Sequence, residues 1–163
     1  MSQSPRKIQT FFWYSTEAEA AARFYTAIFP DSSFDGVTEM IVDRPSGPPK
    51  SVFVVDFTLF GQPYMAMSAG PNDDFNDAIS MMVECDTQAE LDRYWDALLE
   101  GGEAGTCGWL VDRFGVRWQI TPTILFDMQR DPDRARAKKV IDAMSKMVKL
   151  DIATLRAVYG SQE

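Results

Sequence analysis

Two four-residue stretches, Thr16-Glu-Ala-Glu19 and Thr87-Gln-Ala-Glu90, constrain this chain more than any other feature. Each sets a hydroxyl three residues before a glutamate, the capping box that starts a helix. Each follows an alternating run of the kind that forms a strand. Ile8, Thr10, Phe12 and Tyr14 alternate with Gln9, Phe11, Trp13 and Ser15, and Ile79, Met81 and Val83 alternate with Ser80, Met82 and Glu84. Large residues on both sides of the first run suggest burial of both faces. Counted from each threonine, the apolar residues recur at the same offsets: Ala20, Phe24, Ala27 and Ile28, then Leu91, Trp95, Leu98 and Leu99. Pro30-Asp31 closes the first helix and Gly101-Gly102 the second. The chain therefore reads as an internal duplication.

Three strands are expected after the first helix, roughly Ser33 to Val42, Ser51 to Phe60 and Gln62 to Ser68. The loop Arg44-Pro-Ser-Gly-Pro-Pro49 separates the first two, and a tight turn at Gly61 the last two. In the second copy, Trp109 to Arg113 and Val116 to Thr121 are rich in aromatic and β-branched residues and meet at Phe114-Gly115, a hairpin. Val116, Trp118 and Ile120 point to the core, and Arg117, Gln119 and Thr121 to a wetter side. Asp112 and Arg113 read as turn and surface residues. Each module is β-α-β-β-β, the second trimmed.

A doubly wound α/β sheet would need more crossover helices, so the class is α+β. The expected organisation is one compact domain: a first module over residues 1–70, a second over 76–123, and a helical extension over 124–163. In that extension Asp131-Pro132 reads as an N-cap and first-turn pair, followed by the stripe Ala137, Val140, Ile141, Met144, Met147 and Val148. A last helix begins at Asp151 and carries Ile152, Leu155, Val158 and Tyr159 on one face.

With 163 residues, 45% of them apolar, the chain can bury a real core. No apolar run approaches the roughly 20 residues of a membrane-spanning helix, and Met1 to Lys7 lacks a signal core, so a cytoplasmic protein is expected. The net charge of −8 repels nucleic acid and anionic membrane surfaces, and neither is an expected partner. The chain contains no histidine, which excludes a Ser-His-Asp triad, a Cys-His pair and any His-based metal site. Cys85 and Cys107 read as two reduced thiols in or near the core, too few for a zinc site. No Gly-rich loop follows the first strand, as a Rossmann-type nucleotide site requires.

Several stretches, in this order, carry a family pattern: Phe11 to Asp31, Asn76-Asp-Ala-Ile-Ser80, Gln88 to Trp95, Gly108 to Pro122, Asp131-Pro-Asp133 and Lys149 to Leu155. They resemble the PhnB-like, 3-demethylubiquinone-9 3-methyltransferase-like branch of the glyoxalase/bleomycin-resistance (vicinal oxygen chelate) superfamily, over nearly the whole chain. The resemblance implies two modules curled into an open barrel-like cleft, and a homodimer. It also implies functional groups projecting from the central strands, where metal-using members place His, Glu or Gln. Here Thr10 falls at the first of those positions and Gln119 at the last, in Asp112-Arg-Phe-Gly-Val-Arg-Trp-Gln119; Ser68 and Ser80 fall at or near the other two. These are weak neutral ligands for a divalent ion, so no metal and no other cofactor is expected.

The expected cleft residues are Thr10, Trp13, Ser68, Ser80, Arg117 and Gln119. Trp13 serves as an aromatic wall and Arg117 as an attraction for an anionic group. Trp118 reads as core, and Met65, Met67, Met81 and Met82 as core filler or as the wall of an apolar pocket. Glu84 or Glu39 could act as a general base, with no paired acid. The first functional reading is a metal-free binding protein for a small, apolar or aromatic molecule, similar in strategy to bleomycin-resistance proteins. An enzyme of the superfamily stays open, either a divalent-metal isomerase, lyase or dioxygenase, or a methyltransferase. So does a dimeric interaction module.

Overall fold

A computed structural model describes residues 8–42 and 50–161. The N-terminal residues 1–7 and the loop expected at Arg44 to Pro49 lie outside them. The chain divides into two compact units, Met1–Asp73 and Asp74–Glu163. The class is α+β, with two four-stranded sheets and no closed barrel among the described residues.

The first unit runs β1 (Phe11–Tyr14), α1 (Ala18–Ile28), β2 (Ser33–Val42), β3 (Lys50–Leu59) and β4 (Gln62–Ser68). Its sheet order is β1-β4-β3-β2, with β1 parallel to β4 and the other pairs antiparallel. Phe60 and Gly61 both take positive φ, 49° and 68°, which closes the β3–β4 hairpin with the twist its strands need. α1 lies on an aromatic layer in which Phe57 stands 5.6 Å from Tyr64 and 6.5 Å from Phe12 and from Tyr25.

Four expectations for this unit change. β1 starts at Phe11, and Ile8 is 91% exposed. Only one face of β1 is buried, through Phe12 and Tyr14, while Phe11 and Trp13 stay half-exposed. The face that α1 buries is Ala18, Ala21, Ala22 and Tyr25, whereas Ala20 and Ala27 are exposed. The Thr16 capping box does not form. Ser68 Oγ, at the end of β4, accepts the Ala18 amide at 3.0 Å, so the sheet itself supplies the helix's missing partner.

The second unit runs β5 (Met81–Cys85), α2 (Gln88–Leu99), β6 (Glu103–Ala104), β7 (Trp109–Val111) and β8 (Arg117–Pro122), in sheet order β5-β8-β7-β6. Here the capping box forms. Thr87 Oγ1 accepts the Glu90 amide at 3.2 Å, and Glu90 reaches back to the Asp86 amide at 2.9 Å. α2 buries Leu91, Tyr94, Trp95 and Leu98.

Three helices follow: α3 (Ile124–Gln129), α4 (Arg134–Met144) and α5 (Ile152–Gly160). α4 is capped by Asp133, whose Oδ1 accepts the Ala135 and Arg136 amides at 3.1 Å, and not by Asp131. Asp131 is buried instead, accepting the Asp133 amide at 2.8 Å, the Arg136 guanidinium at 2.9 Å and the Tyr159 hydroxyl. The expected stripe reaches past the helix. α4 stops at Met144, and the Met147 and Val148 carbonyls accept the Cys107 and Gly108 amides at 2.8 Å. No helix among the described residues is long and apolar enough to cross a membrane.

Candidate functional site

In the second unit the hairpin decides which side chains meet solvent. Asp112, expected at the surface, is 3% exposed. Its Oδ1 accepts the Phe114 and Val116 amides at 2.8 and 3.0 Å, and its Oδ2 accepts the Trp118 indole N–H at 2.8 Å. A buried carboxylate with three donors is satisfied, and it ties the turn to the core tryptophan. Gly115, at φ 84°, supplies the left-handed residue the turn requires. Arg113 is exposed as expected and pairs with Glu100 at 3.1 Å.

With Trp118 and Ile120 buried, the period of two puts Arg117 and Gln119 on the open face of the sheet. Gln119 lies in register between Met82 of β5 and Trp109 of β7. Its Nε2 donates to Ser80 Oγ at 2.8 Å, so two of the expected site residues meet. Arg117 Nε donates to Asp77 Oδ1 at 2.8 Å, and Nη1 to the Gly115 carbonyl at 3.2 Å. A cavity of about 390 Å³ lies beside this pair, lined also by Glu103, Thr106, Trp109 and Val111.

The first unit's open face has a different character. Trp13 stands in register with Met67, and Phe11 with Met65, which makes an aromatic and thioether surface. The Trp13 indole donates to the Gly70 carbonyl at 3.0 Å. Thr10 precedes β1 in the same alternation as Phe12 and Tyr14, the buried side, and its carbonyl accepts the Met65 amide at 3.1 Å. Ser68 spends its hydroxyl on α1. Glu39 accepts the Ser51 hydroxyl at 2.6 Å, and Glu84 is exposed.

The residues present do not fit a divalent ion. Gln119 and Ser80 are neutral and bonded to each other. No three His, Cys, Asp or Glu side chains among the described residues are grouped to hold a metal. Nor does Cys85 offer a nucleophile: burial, then Glu90 and Asp86, pushes its thiol up to about 12.

Sequence reasoning passed over Asp77 and Trp109 as site residues. The usable signal for Asp77 was its place in Asn76-Asp-Ala-Ile-Ser80, three residues before Ser80.

The family model described as 3-demethylubiquinone-9 3-methyltransferase matches residues 6–121, which end before α3. Among solved structures the chain is similar to a PhnB protein from Bacillus cereus, provisionally given that same methyltransferase description. Identity is 30%, over 72% of this chain and 100% of that one, with a TM-score of 0.62. Protein PA1353 from Pseudomonas aeruginosa shares the fold at 21% identity, over 70% of this chain and 95% of that one, with a TM-score of 0.53. No curated protein matches the chain.

Proposed function

The chain belongs to the 3-demethylubiquinone-9 3-methyltransferase family, the PhnB-like branch of the glyoxalase-like superfamily, and from that premise we propose that it is a metal-free small-molecule binding protein. The observation that carries this reading is the open face of the second sheet. There the Gln119–Ser80 pair sits between Met82 and Trp109, with Arg117 one step along the same strand. An amide and a hydroxyl amid a thioether and an indole suit a polar group on an apolar or aromatic body. Such a surface orients a ligand, and an amide bonded to a hydroxyl is not a matched acid–base pair.

The methyltransferase description supplies a competing, catalytic reading. Against it stands the β1–α1 connection, which is Ser15, Thr16 and Glu17 without a glycine, so no phosphate or nucleoside cradle opens there.

A second reading, pairing of two copies, is favoured by the β2–β3 arm. Ile41 is 71% exposed, with Met40, Val42 and Phe53 each more than 40% exposed. Apolar side chains in such number on one arm mark a surface that a partner covers. Light scattering after size exclusion should give twice the 18.4 kDa chain mass. A monomer at micromolar concentration rejects the pairing. A cytoplasmic setting is supported by the two unbridged thiols, Cys85 and Cys107.

Native mass spectrometry with elemental analysis, on protein purified without chelator or added metal, tests the main reading. The expected result is a retained small molecule without stoichiometric metal, lost in Gln119→Ala. A divalent ion bound one per chain overturns it.

A further inference from the structure

Arg117 is held by a partner far more exposed than itself. The Arg117 side chain is 23% exposed and that of Asp77 80%. The guanidinium is also fixed from behind by the Gly115 carbonyl. The two ends of this ion pair therefore differ in what they lose when it opens. The Asp77 carboxylate, almost fully in water, gives up little, as exposed pairs do. The Arg117 head, already partly withdrawn from water, still needs an anion.

We propose that Arg117 recognises the carboxylate of a small monoanionic ligand with an apolar body, and that Asp77 is a resident carboxylate which this ligand displaces. The inference rests on the binding reading above and names its ligand class. A planar guanidinium accepts a carboxylate in a two-pronged geometry that a point charge cannot match. The cavity beside the pair, about 390 Å³, is large enough for a ring-bearing molecule, and Trp109 and Val111 give its body an apolar wall. Glu103 lines the same cavity. Once Asp77 swings out, one positive and one negative side chain remain there, so a single ligand charge is tolerated. A second negative charge meets Glu103 and is selected against. Asp77 thus acts as a built-in competitor: it occupies the guanidinium when no ligand is bound and raises the concentration needed to fill the site.

The test titrates phenylacetate, its uncharged isostere phenylacetamide and the dianion phenylphosphonate into the full chain, followed by calorimetry and amide NMR shifts. Phenylacetate should bind with shifts centred on Trp109, Val111 and Arg117. Asp77→Ala and Asp77→Asn should both bind it more tightly, by about three- to fivefold, the factor an exposed ion pair is worth. Arg117→Gln should lose binding at least tenfold, and the amide and the phosphonate should bind at least tenfold more weakly than phenylacetate. Unchanged or weaker binding in both Asp77 variants overturns the proposal. So does an amide that binds as well as the acid, or the absence of saturable binding to Asp77→Ala at millimolar phenylacetate. If a co-purified molecule is nevertheless held in a Gln119-dependent way, only the ligand class falls. If no molecule is retained either, the binding reading falls with it.

Discussion

The two units open alike and then diverge. At the spacing that separates Thr16 from Thr87, Phe12 and Tyr14 fall on Val83 and Cys85, and all four side chains are buried. The helices that follow do not superpose in phase. α2 buries Leu91, Tyr94, Trp95 and Leu98, whose counterparts in α1 are Ala20, Arg23, Phe24 and Ala27, none of them fully buried. α1 instead buries residues two positions earlier, about 200° further round its axis. Bulk explains the exchange. In the first unit the sheet carries most of the large rings, Phe12, Phe57 and Tyr64, and the helix meets them with three alanines and the single ring of Tyr25. In the second the helix brings Tyr94 and Trp95 to a layer that includes Val83, Leu110 and Ile120. Each interface fills its volume, but from opposite sides. The open faces diverge as well: aromatic and thioether in the first unit, whereas the second adds an amide, a hydroxyl and a guanidinium beside Met82 and Trp109. One duplicated plan can therefore hold two kinds of surface, because only the helix-facing half of each strand is committed to the core.

The largest expected effect checks that division of labour within one strand. Trp118→Ala should cost about 3 to 5 kcal/mol in urea denaturation. It removes a side chain 2% exposed and strands the buried Asp112 carboxylate that accepts its indole N–H. Gln119→Ala, the next residue, should cost less than about 1 kcal/mol while altering ligand retention. Comparable losses at the two positions would mean that the open face is part of the core after all.

Next in size are the two helix starts. Ser68→Ala and Thr87→Ala should each destabilise by about 1 kcal/mol, the usual worth of an N-terminal cap partner. The first figure concerns a serine fifty residues away from the amide it serves. That separation explains what could be read from the sequence and what could not. Strand positions, the Phe114-Gly115 hairpin and the second capping box follow from neighbours in the chain, and periodicity reveals them. The phase of α1 does not, because a ring layer gathered from β1, β3 and β4 decides it. The candidate site divides in the same way. Gln119 and Ser80 were legible through their strands and the family pattern. Asp77 was not, since its meeting with Arg117 depends on the path of a turn forty residues earlier in the chain. Asp112 looked like a turn residue because sequence shows its proximity to glycine but not the three donors that make its burial tolerable.

A smaller effect concerns the response of the second unit to acid. Asp131, in the second unit, has its carboxyl held below the usual carboxylate range by the Tyr159 hydroxyl first, then by the Asp133 amide and the Arg136 guanidinium. A carboxyl lowered in the folded state favours folding above its unfolded value, and that contribution drains away as pH falls through the folded value. Stability should therefore decline below about pH 4, where unfolded carboxylates begin to protonate. Asp92, lowered by Gln88 and Lys149, and Asp151, lowered by the Thr154 side chain and amide, add to the same limb. Asp131→Asn should be less stable at pH 7 yet show a flatter acid limb in urea midpoints measured from pH 7 to pH 3. A limb of unchanged steepness would assign it to other groups.

The smallest expected effect is the sharpest comparison of the two halves. Thr16 and Thr87 occupy equivalent places in the same four-residue motif, and local sequence gives no reason to treat them differently. Thr87 Oγ1 accepts the Glu90 amide, whereas no cap bond reaches α1 from a residue at its own N-cap, and the Ala18 amide goes to Ser68. Glu17 turns back to the Thr16 amide at 2.8 Å, which leaves the threonine hydroxyl outside the helix's hydrogen bonding. Thr16→Ala should consequently shift stability by no more than about 0.5 kcal/mol, the range of an ordinary surface substitution. Combined with Ser68→Ala, its effect should simply add, since the two side chains share no partner. If Thr16→Ala costs as much as Thr87→Ala, both capping boxes are formed. The Ser68 hydroxyl would then not be what replaces the missing cap at the start of α1.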